Sequence, residues 1–223
     1  MGDVLFPAGS LIVSCQASTE NPLHGPTPMA LMARAAESGG AAGIRANGPA
    51  DVAAIRSAVA LPIIGIYKLG DPQTVFITPT LAAAAEVVRA GADLVAVDAT
   101  LRERPDGNSI ERLIRAVHDE LGVPVMADVD TLEAGVQARA AGADLVATTL
   151  SGYTNGSPPP DDPDVDLVRD LAARVDCPIV AEGRYRTPAE VRSAFAAGAH
   201  AVVVGTAITN PAEITARLVR ELR

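Results

Sequence analysis

LPIIGIYK, residues 61–68, is a proline-opened apolar run that ends on a single basic side chain. Five apolar residues and a glycine predict a strand covered on both faces, because a strand with one wet face would alternate apolar with polar positions. Side chains alternate along a strand, so Lys68 shares a face with Ile66 and Ile64 and emerges just beyond them. Two readings of that lysine stand. It snorkels to solvent from a strand end, as long charged side chains do, or a dry strand delivers it to a site that uses it.

Outward from this run, two kinds of strand opening recur. Helical segments closing on Gly-Ala lead into strands at 38–46 (SGGAAGIRA), 90–100 (AGADLVAVDAT), 141–151 (AGADLVATTLS) and 197–205 (AGAHAVVVG). LPIIGIYK, VPVMADV (123–129) and CPIVAEG (177–183) open on an X-Pro pair, and SLIVSCQ (10–16) takes the equivalent place without the proline. Glycine can take the left-handed conformation that closes a helix, whereas proline holds its predecessor extended and starts a strand. Between these eight strands lie eight helical patterns, at 28–37, 49–59, 80–89, 109–121, 131–140, 165–175, 187–196 and 211–222. Thr187-Pro188-Ala189-Glu190 combines capping-box spacing with proline at the first helical position. Unbroken alternation of dry strands with helices predicts an α/β chain folded as a single-domain (β/α)8 TIM barrel over residues 1–223. An open doubly wound sheet is the alternative. The stretch 155–163 (NGSPPPDDP) reads as a polar loop after the sixth strand, not as a linker.

Composition bounds the function. With 223 residues, 48% of them hydrophobic, the chain can bury a sizeable core. A formal charge of −9 without a Lys/Arg run predicts no nucleic-acid partner and no anionic membrane surface. The opening MGDVLFPAGSLIVSC lacks the basic start and long apolar stretch of a signal peptide, so a cytoplasmic protein is expected. Cys15 and Cys177 fall on non-adjacent strands and read as small buried hydrophobes, not a disulfide.

Polar residues gather at the carboxyl ends of the strands, which in a parallel barrel share one mouth. They are Gln16, Arg45, Lys68, Asp98 with Thr100, Asp128, Thr148 and Thr149, Glu182 and Gly205. Any one of them could be an interstrand ion pair or a helix cap; together they point to a site. Strands three and seven lie opposite one another in an eight-stranded ring, so Lys68 and Glu182 are predicted to meet over the barrel axis, with Asp128 entering from strand five. Such a pairing would place the lysine, and desolvation would lower its pKa toward the range useful for taking a proton from carbon. Gly183 and Gly205 end strands seven and eight, where barrels often bind phosphate through backbone N–H groups, and GTAITNP adds the hydroxyls of Thr206 and Thr209. The three histidines, His24, His118 and His200, show no metal-ligand spacing, and no dinucleotide or Walker fingerprint occurs. No metal and no cofactor are predicted.

LIVSCQA, GIRANG, LPIIGIYK, ITPT, DATLRERPDG, MADV, TTLSGYT, AEGR and VVVG-AIT, in that order and over nearly the whole chain, resemble the N-acetylmannosamine-6-phosphate 2-epimerases. The resemblance implies the (β/α)8 barrel, no organic cofactor, a homodimer, and interconversion of N-acetylmannosamine 6-phosphate with N-acetylglucosamine 6-phosphate in sialic acid catabolism. It also implies that Lys68 is the proton-transferring residue and Glu182 its acidic partner. Gln16, Arg45 and Asp128 then match substrate-contacting positions; the strand-end and phosphate readings add Thr149, Gly183, Gly205 and Thr206, with Arg184, to the expected substrate-binding set. The family often reads VVGGAITRP where this chain has VVVGTAITNP, so Thr206 stands for a glycine and Asn210 for an arginine that contacts the phosphate. Arg184, Arg186 or a nearby loop are the candidates to replace it. Two other functions stay open: a Schiff-base phosphosugar aldolase or lyase built on Lys68, and a noncatalytic sugar-phosphate sensor.

Overall fold

The computed structural model describes residues 5–157 and 162–222. Eight parallel strands close into a barrel in sequence order, with β8 returning to β1, which settles the choice against an open sheet. They are β1 (Ser10–Cys15), β2 (Gly43–Asn47), β3 (Ile63–Ile66), β4 (Leu94–Asp98), β5 (Val125–Asp128), β6 (Leu145–Ala147), β7 (Ile179–Glu182) and β8 (Ala201–Val204). The helices are α1 (Pro26–Ser38), α2 (Pro49–Ala58), α3 (Leu81–Arg89), α4 (Ile110–Ala116), α5 (Leu132–Ala140), α6 (Val165–Arg174), α7 (Pro188–Ala196), α8 (Thr206–Thr209) and α9 (Pro211–Arg220).

Two differences from the sequence pattern matter. The helix expected over 109–121 is α-helical only to Ala116 and finishes as a π-helical turn, Val117–Leu121, before the left-handed Gly122. The short α8, absent from the eight helical patterns, follows β8 directly. Four residues of the polar loop expected at 155–163, 158–161, lie outside the described residues.

Strand parity divides the core into two layers. Ile12, Ile64, Ile66, Leu94, Ala96, Met126, Leu145, Ala147, Val180, Ala201 and Val203 fill the barrel interior. The alternate positions, among them Val13, Ile44, Ile63, Val95, Val97, Val125 and Ala181, pack outward against the helices. Gly65 is one of these outward positions, and a Cβ there would lie 2.6 Å from the Cβ of Ala92, so glycine is what lets α3 and the segment after it sit against β3. Phe6 closes the interior from below. It is fully buried with the interior residues, and its ring occupies the space that a Cβ on Gly43 would need.

The repeated AGAD tetrapeptides explain the lower rim. Gly91 and Gly142 close α3 and α5 in the left-handed region, and the aspartates that follow clasp the strand starts. Asp93 accepts the Ile63 N–H at 2.8 Å and an ion pair from Arg56; Asp144 accepts the Val125 N–H at 2.8 Å and faces His118 Nε2 at 2.8 Å. Thr80, Ser109, Thr131, Asp164 and Thr187 cap the helices that follow the strands, Thr187 with a full capping box through Glu190. Cys15 is buried at the end of β1, while Cys177, expected to be buried, is only partly covered ahead of β7; both are free.

Candidate active site

The carboxyl ends of the strands surround a mouth cavity of about 1080 Å³. Parity decides what reaches it. Each interior column continues by twos into polar positions: Ser14 and Gln16 above Ile12, Lys68 above Ile66, Asp98 above Ala96, Asp128 above Met126, Thr149 above Ala147, Glu182 above Val180.

Arg45 is the hub beneath the cavity. Its side chain is 1% exposed, and Nη1 and Nη2 grip Asp128 Oδ1 and Oδ2 at 3.0 and 2.5 Å in fork geometry, while Nη1 also donates to Glu182 Oε2 at 2.7 Å. The Thr149 hydroxyl donates to Asp128 Oδ1 at 2.6 Å and lies 3.3 Å from Glu182 Oε2. Burial alone would lower the guanidinium's pKa, but the two carboxylates overcome it and hold it above the usual range. Burial pushes the Glu182 carboxyl up, Arg45 and Lys68 oppose that rise, and Asp128 adds to it.

Sequence alone predicts a direct Lys68–Glu182 pair, and the geometry differs. Glu182 Oε2 accepts from Arg45, which reaches it from β2, whereas the Lys68 ammonium has no hydrogen-bond or ion-pair partner among the described residues. Lys68 also lies beyond the strand: β3 ends at Ile66 because the next amides are taken by side chains. The residue is open to the cavity, not sealed in a dry pocket. Even so, the surrounding walls strip solvent from the amine and push its pKa below the usual lysine range; Arg45 acts in the same direction, and Glu182 and Asp128 against it.

The other predicted residues divide into two levels. Gln16, Thr149, Glu182, Gly183, Arg184, Gly205 and Thr206 line the cavity with Lys68. Arg45 and Asp128, expected to touch substrate, lie one layer lower and reach the cavity wall through Glu182 and Thr149. Gln16 Nε2 donates to the Ser14 hydroxyl at 2.8 Å, and its Oε1 is buried without a partner among the described residues. Arg184 is engaged by the loop after β6: Nε donates to the Asp162 carbonyl, Nη1 to the Ser151 carbonyl, and the guanidinium stacks 5.1 Å from the Tyr153 ring centre. Thr209, expected as a hydroxyl donor to phosphate, spends its hydroxyl on the Ser14 carbonyl at 2.8 Å. Asn210 accepts the Glu213 N–H and so caps α9.

Two arginines of the cavity wall were not anticipated. Arg217 and Arg220 of α9 line the wall near Thr206, alongside Glu213 and Glu221, and neither arginine has a hydrogen-bond or ion-pair partner among the described residues. Their spacing of three puts them on one helix face, but the direction of that face depends on how α8 and Asn210 turn the chain. A simpler signal marks the other side of the site. Lys68 is the only lysine in a chain with seventeen arginines.

Residues 29–223 match the family model described as "Putative N-acetylmannosamine-6-phosphate epimerase". A relative from Cutibacterium acnes, named as a 2-epimerase for the same sugar phosphate, is 50% identical over 210 residues, covering 93% of this chain and 91% of its own. The solved structure of the N-acetylmannosamine-6-phosphate 2-epimerase from Clostridium perfringens superposes with a TM-score of 0.93 at 42% identity, covering 97% of this chain and 94% of that one. A thiamine phosphate pyrophosphorylase from Pyrococcus furiosus shares the fold alone, at 17% identity and a TM-score of 0.61 over 96% of each chain.

Proposed function

Because the chain belongs to the N-acetylmannosamine-6-phosphate epimerase family, we propose that it interconverts N-acetylmannosamine 6-phosphate and N-acetylglucosamine 6-phosphate by proton transfer at C2, without an organic cofactor. One observation carries the chemistry: the chain's sole lysine stands at the mouth with no hydrogen-bond or ion-pair partner among the described residues, its pKa lowered, across from a carboxylate held by Arg45. Arginine cannot give up its proton near neutrality and lysine can, so among the basic side chains that line the cavity, where no histidine stands, Lys68 is the one able to act as a base.

In the open-chain sugar C2–H is alpha to the C1 aldehyde. The neutral Lys68 amine takes that proton, and the electron pair of the C–H bond moves onto the carbonyl oxygen as an enolate. Return of a proton to the opposite face of C2 inverts the centre. Glu182, Thr149 and Gln16 bind hydroxyls around the reacting carbons, with Asp128 and Arg45 supporting them from below. The phosphate end lies toward Gly183, Gly205 and Thr206; Arg217 and Arg220, whose side chains have no hydrogen-bond or ion-pair partner among the described residues, supply positive charge there, and Arg184 orders the loop beside it.

Turnover in D2O tests this. Product formed from either sugar phosphate should carry deuterium at C2, and product that keeps all of its C2 hydrogen would rule the mechanism out. Unphosphorylated N-acetylmannosamine should turn over far more slowly than the 6-phosphate.

The partner proposed for this protein is a second copy. α9 buries none of its residues and leaves Leu218 and Val219 in water, with Leu222 just beyond it, an apolar surface that a homodimer would cover. Sedimentation should give twice the chain mass, shifted toward the monomer by Leu218→Glu. A cytoplasmic setting in sialic acid catabolism fits a phosphorylated substrate and two free cysteines.

A further inference from the structure

The peptide groups around Lys68 are held unusually firmly for residues outside a strand. Beyond β3 the chain runs out as residues 67–69 and returns as 76–78, joined by an isolated antiparallel bridge between Lys68 and Ile77. The peptide between Tyr67 and Lys68 is fixed at both ends: its N–H donates to Asn47 Oδ1 at 2.9 Å, and its carbonyl accepts the Thr78 N–H at 2.9 Å. The next N–H, of Leu69, donates to the Phe76 carbonyl at 3.0 Å, and the preceding one, of Tyr67, donates to Thr78 Oγ1 at 3.0 Å.

Thr78 therefore touches this segment twice, and it does so from a strained conformation. Its φ is 46°, one of two positive values at non-glycine positions among the described residues. A β-branched residue is disfavoured there, and a following proline restricts it further. Thr78 is fully buried. Local strain of this kind persists only where the surroundings over-determine it, and it clusters at functional sites.

The exit of β4 supplies that support. Asp98 N–H donates to the Ile77 carbonyl at 2.9 Å, the Asp98 carboxylate pairs with Arg102 at 2.7 Å, and Arg104 spans the carbonyls of Asp98 and Pro79 at 2.6 and 2.9 Å. The returning limb is thereby fastened to the barrel.

We propose that Thr78 is a positioning residue for Lys68, its hydroxyl and its N–H locking the outgoing limb so that the amine enters the mouth from one fixed direction, with Asn47 holding the opposite side. This rests on the assignment of Lys68 as proton carrier. Thr78 itself does not line the cavity, so its effect on turnover would pass through Lys68 and not through contact with the sugar. Proton transfer from carbon is sensitive to placement, and a shift near 1 Å can lower the rate about 10²-fold.

Thr78→Val keeps shape and β-branching but removes the acceptor for the Tyr67 N–H, while Thr78→Ser keeps the hydroxyl. Thr78→Val should lose roughly 10²-fold in kcat with KM little changed, and Thr78→Ser should stay near wild type. A second readout needs no turnover. Since Lys68 is the only lysine, the pH dependence of its acetylation by acetic anhydride, followed by mass spectrometry, titrates this one side chain against the N-terminal amine as internal reference. The charged groups acting on it are Arg45 from β2, Asp128 from β5 and Glu182 from β7. The wild-type midpoint should lie below the usual lysine range and move upward in Thr78→Val, as the amine swings toward water. Asn47→Ala should move it the same way, and provides the reading if Thr78→Val does not fold.

A Thr78→Val protein that melts earlier but keeps the wild-type kcat and midpoint would overturn the proposal, as would Thr78→Ser behaving like Thr78→Val, or an unmoved midpoint in Asn47→Ala. If the wild type does not epimerise the sugar phosphate, the functional assignment falls on that result alone, and the acetylation midpoints still decide whether Thr78 and Asn47 hold Lys68.

Discussion

Lys68→Arg should lower kcat by about 10² to 10⁴-fold, the contribution typical of a positioned proton-transfer group, and C2 deuterium exchange should fall with it. The substitution keeps the charge and most of the reach, so what it tests is the loss of a proton. A guanidinium stays protonated at any pH at which the protein is folded, and it would stand in the mouth as a permanent cation. In the wild type the amine's pKa is pulled down, first by loss of solvent and then by Arg45. The active neutral form is thus available at lower pH than for a free lysine, and the acid limb of kcat/KM should lie below the usual lysine range. The same shift sets the sign for stability. Below the folded pKa the protonated amine is held at a disadvantage to the unfolded chain, and that penalty disappears as pH rises toward the unfolded value. Lys68→Met, which never carries the charge, should therefore melt no earlier than wild type at neutral pH while being inactive. A paired measurement of kcat and melting temperature checks both halves.

Arg45→Met should destabilise the protein by about 3–5 kcal/mol, because removing one partner of a buried ion pair leaves charge without compensation. Two carboxylates depend on this guanidinium, Asp128 through both oxygens and Glu182 through one. The methionine fills similar volume, which makes the lost charge the main change. The pH dependence follows from Glu182, whose carboxyl is already held above its usual range by burial. A carboxyl with a raised folded pKa binds its proton more tightly in the fold, so stability is lost as pH rises through that value and recovered as pH falls. Without Arg45 this tendency grows. Urea unfolding of the variant should show a larger deficit at mildly alkaline than at mildly acidic pH, and Arg45→Met with Glu182→Gln should recover part of the deficit at the higher pH. Equal deficits across that pH range would mean that charge at Glu182 is not the cause.

The barrel was legible because two periodicities coincide in LPIIGIYK and its counterparts. A period of two assigns Ile64, Ile66 and Lys68 to the interior, and the regular Gly-Ala and X-Pro openings count eight strands in order. The gathering of Gln16, Thr149, Glu182 and Lys68 around one cavity followed from the same parity. The partner chosen by Glu182 did not. Ring geometry places β3 opposite β7, but it does not say how far a side chain extends, and the long guanidinium from β2 reaches the carboxylate. Nor does sequence show that Tyr67–Leu69 pairs with a returning limb, since the acceptors involved are single side-chain atoms of Asn47 and Thr78. Arg217 and Arg220 were hidden for another reason: the direction of α9 depends on the short α8 and the Asn210 cap, neither of which has a hydrophobic period to announce it.

Phe6 lies at the end of the barrel opposite the mouth cavity, its carbonyl accepting from His200 Nε2 at 2.8 Å and its ring occupying the space beside Gly43. It works as a stopper. Trimming the chain past this residue would let water rise from beneath into a column of mostly aliphatic side chains, and the damage would register at the far end, where Arg45 and its carboxylates rest on that column. A purification tag joined close to Phe6 therefore carries a hazard for activity that its distance from the substrate conceals.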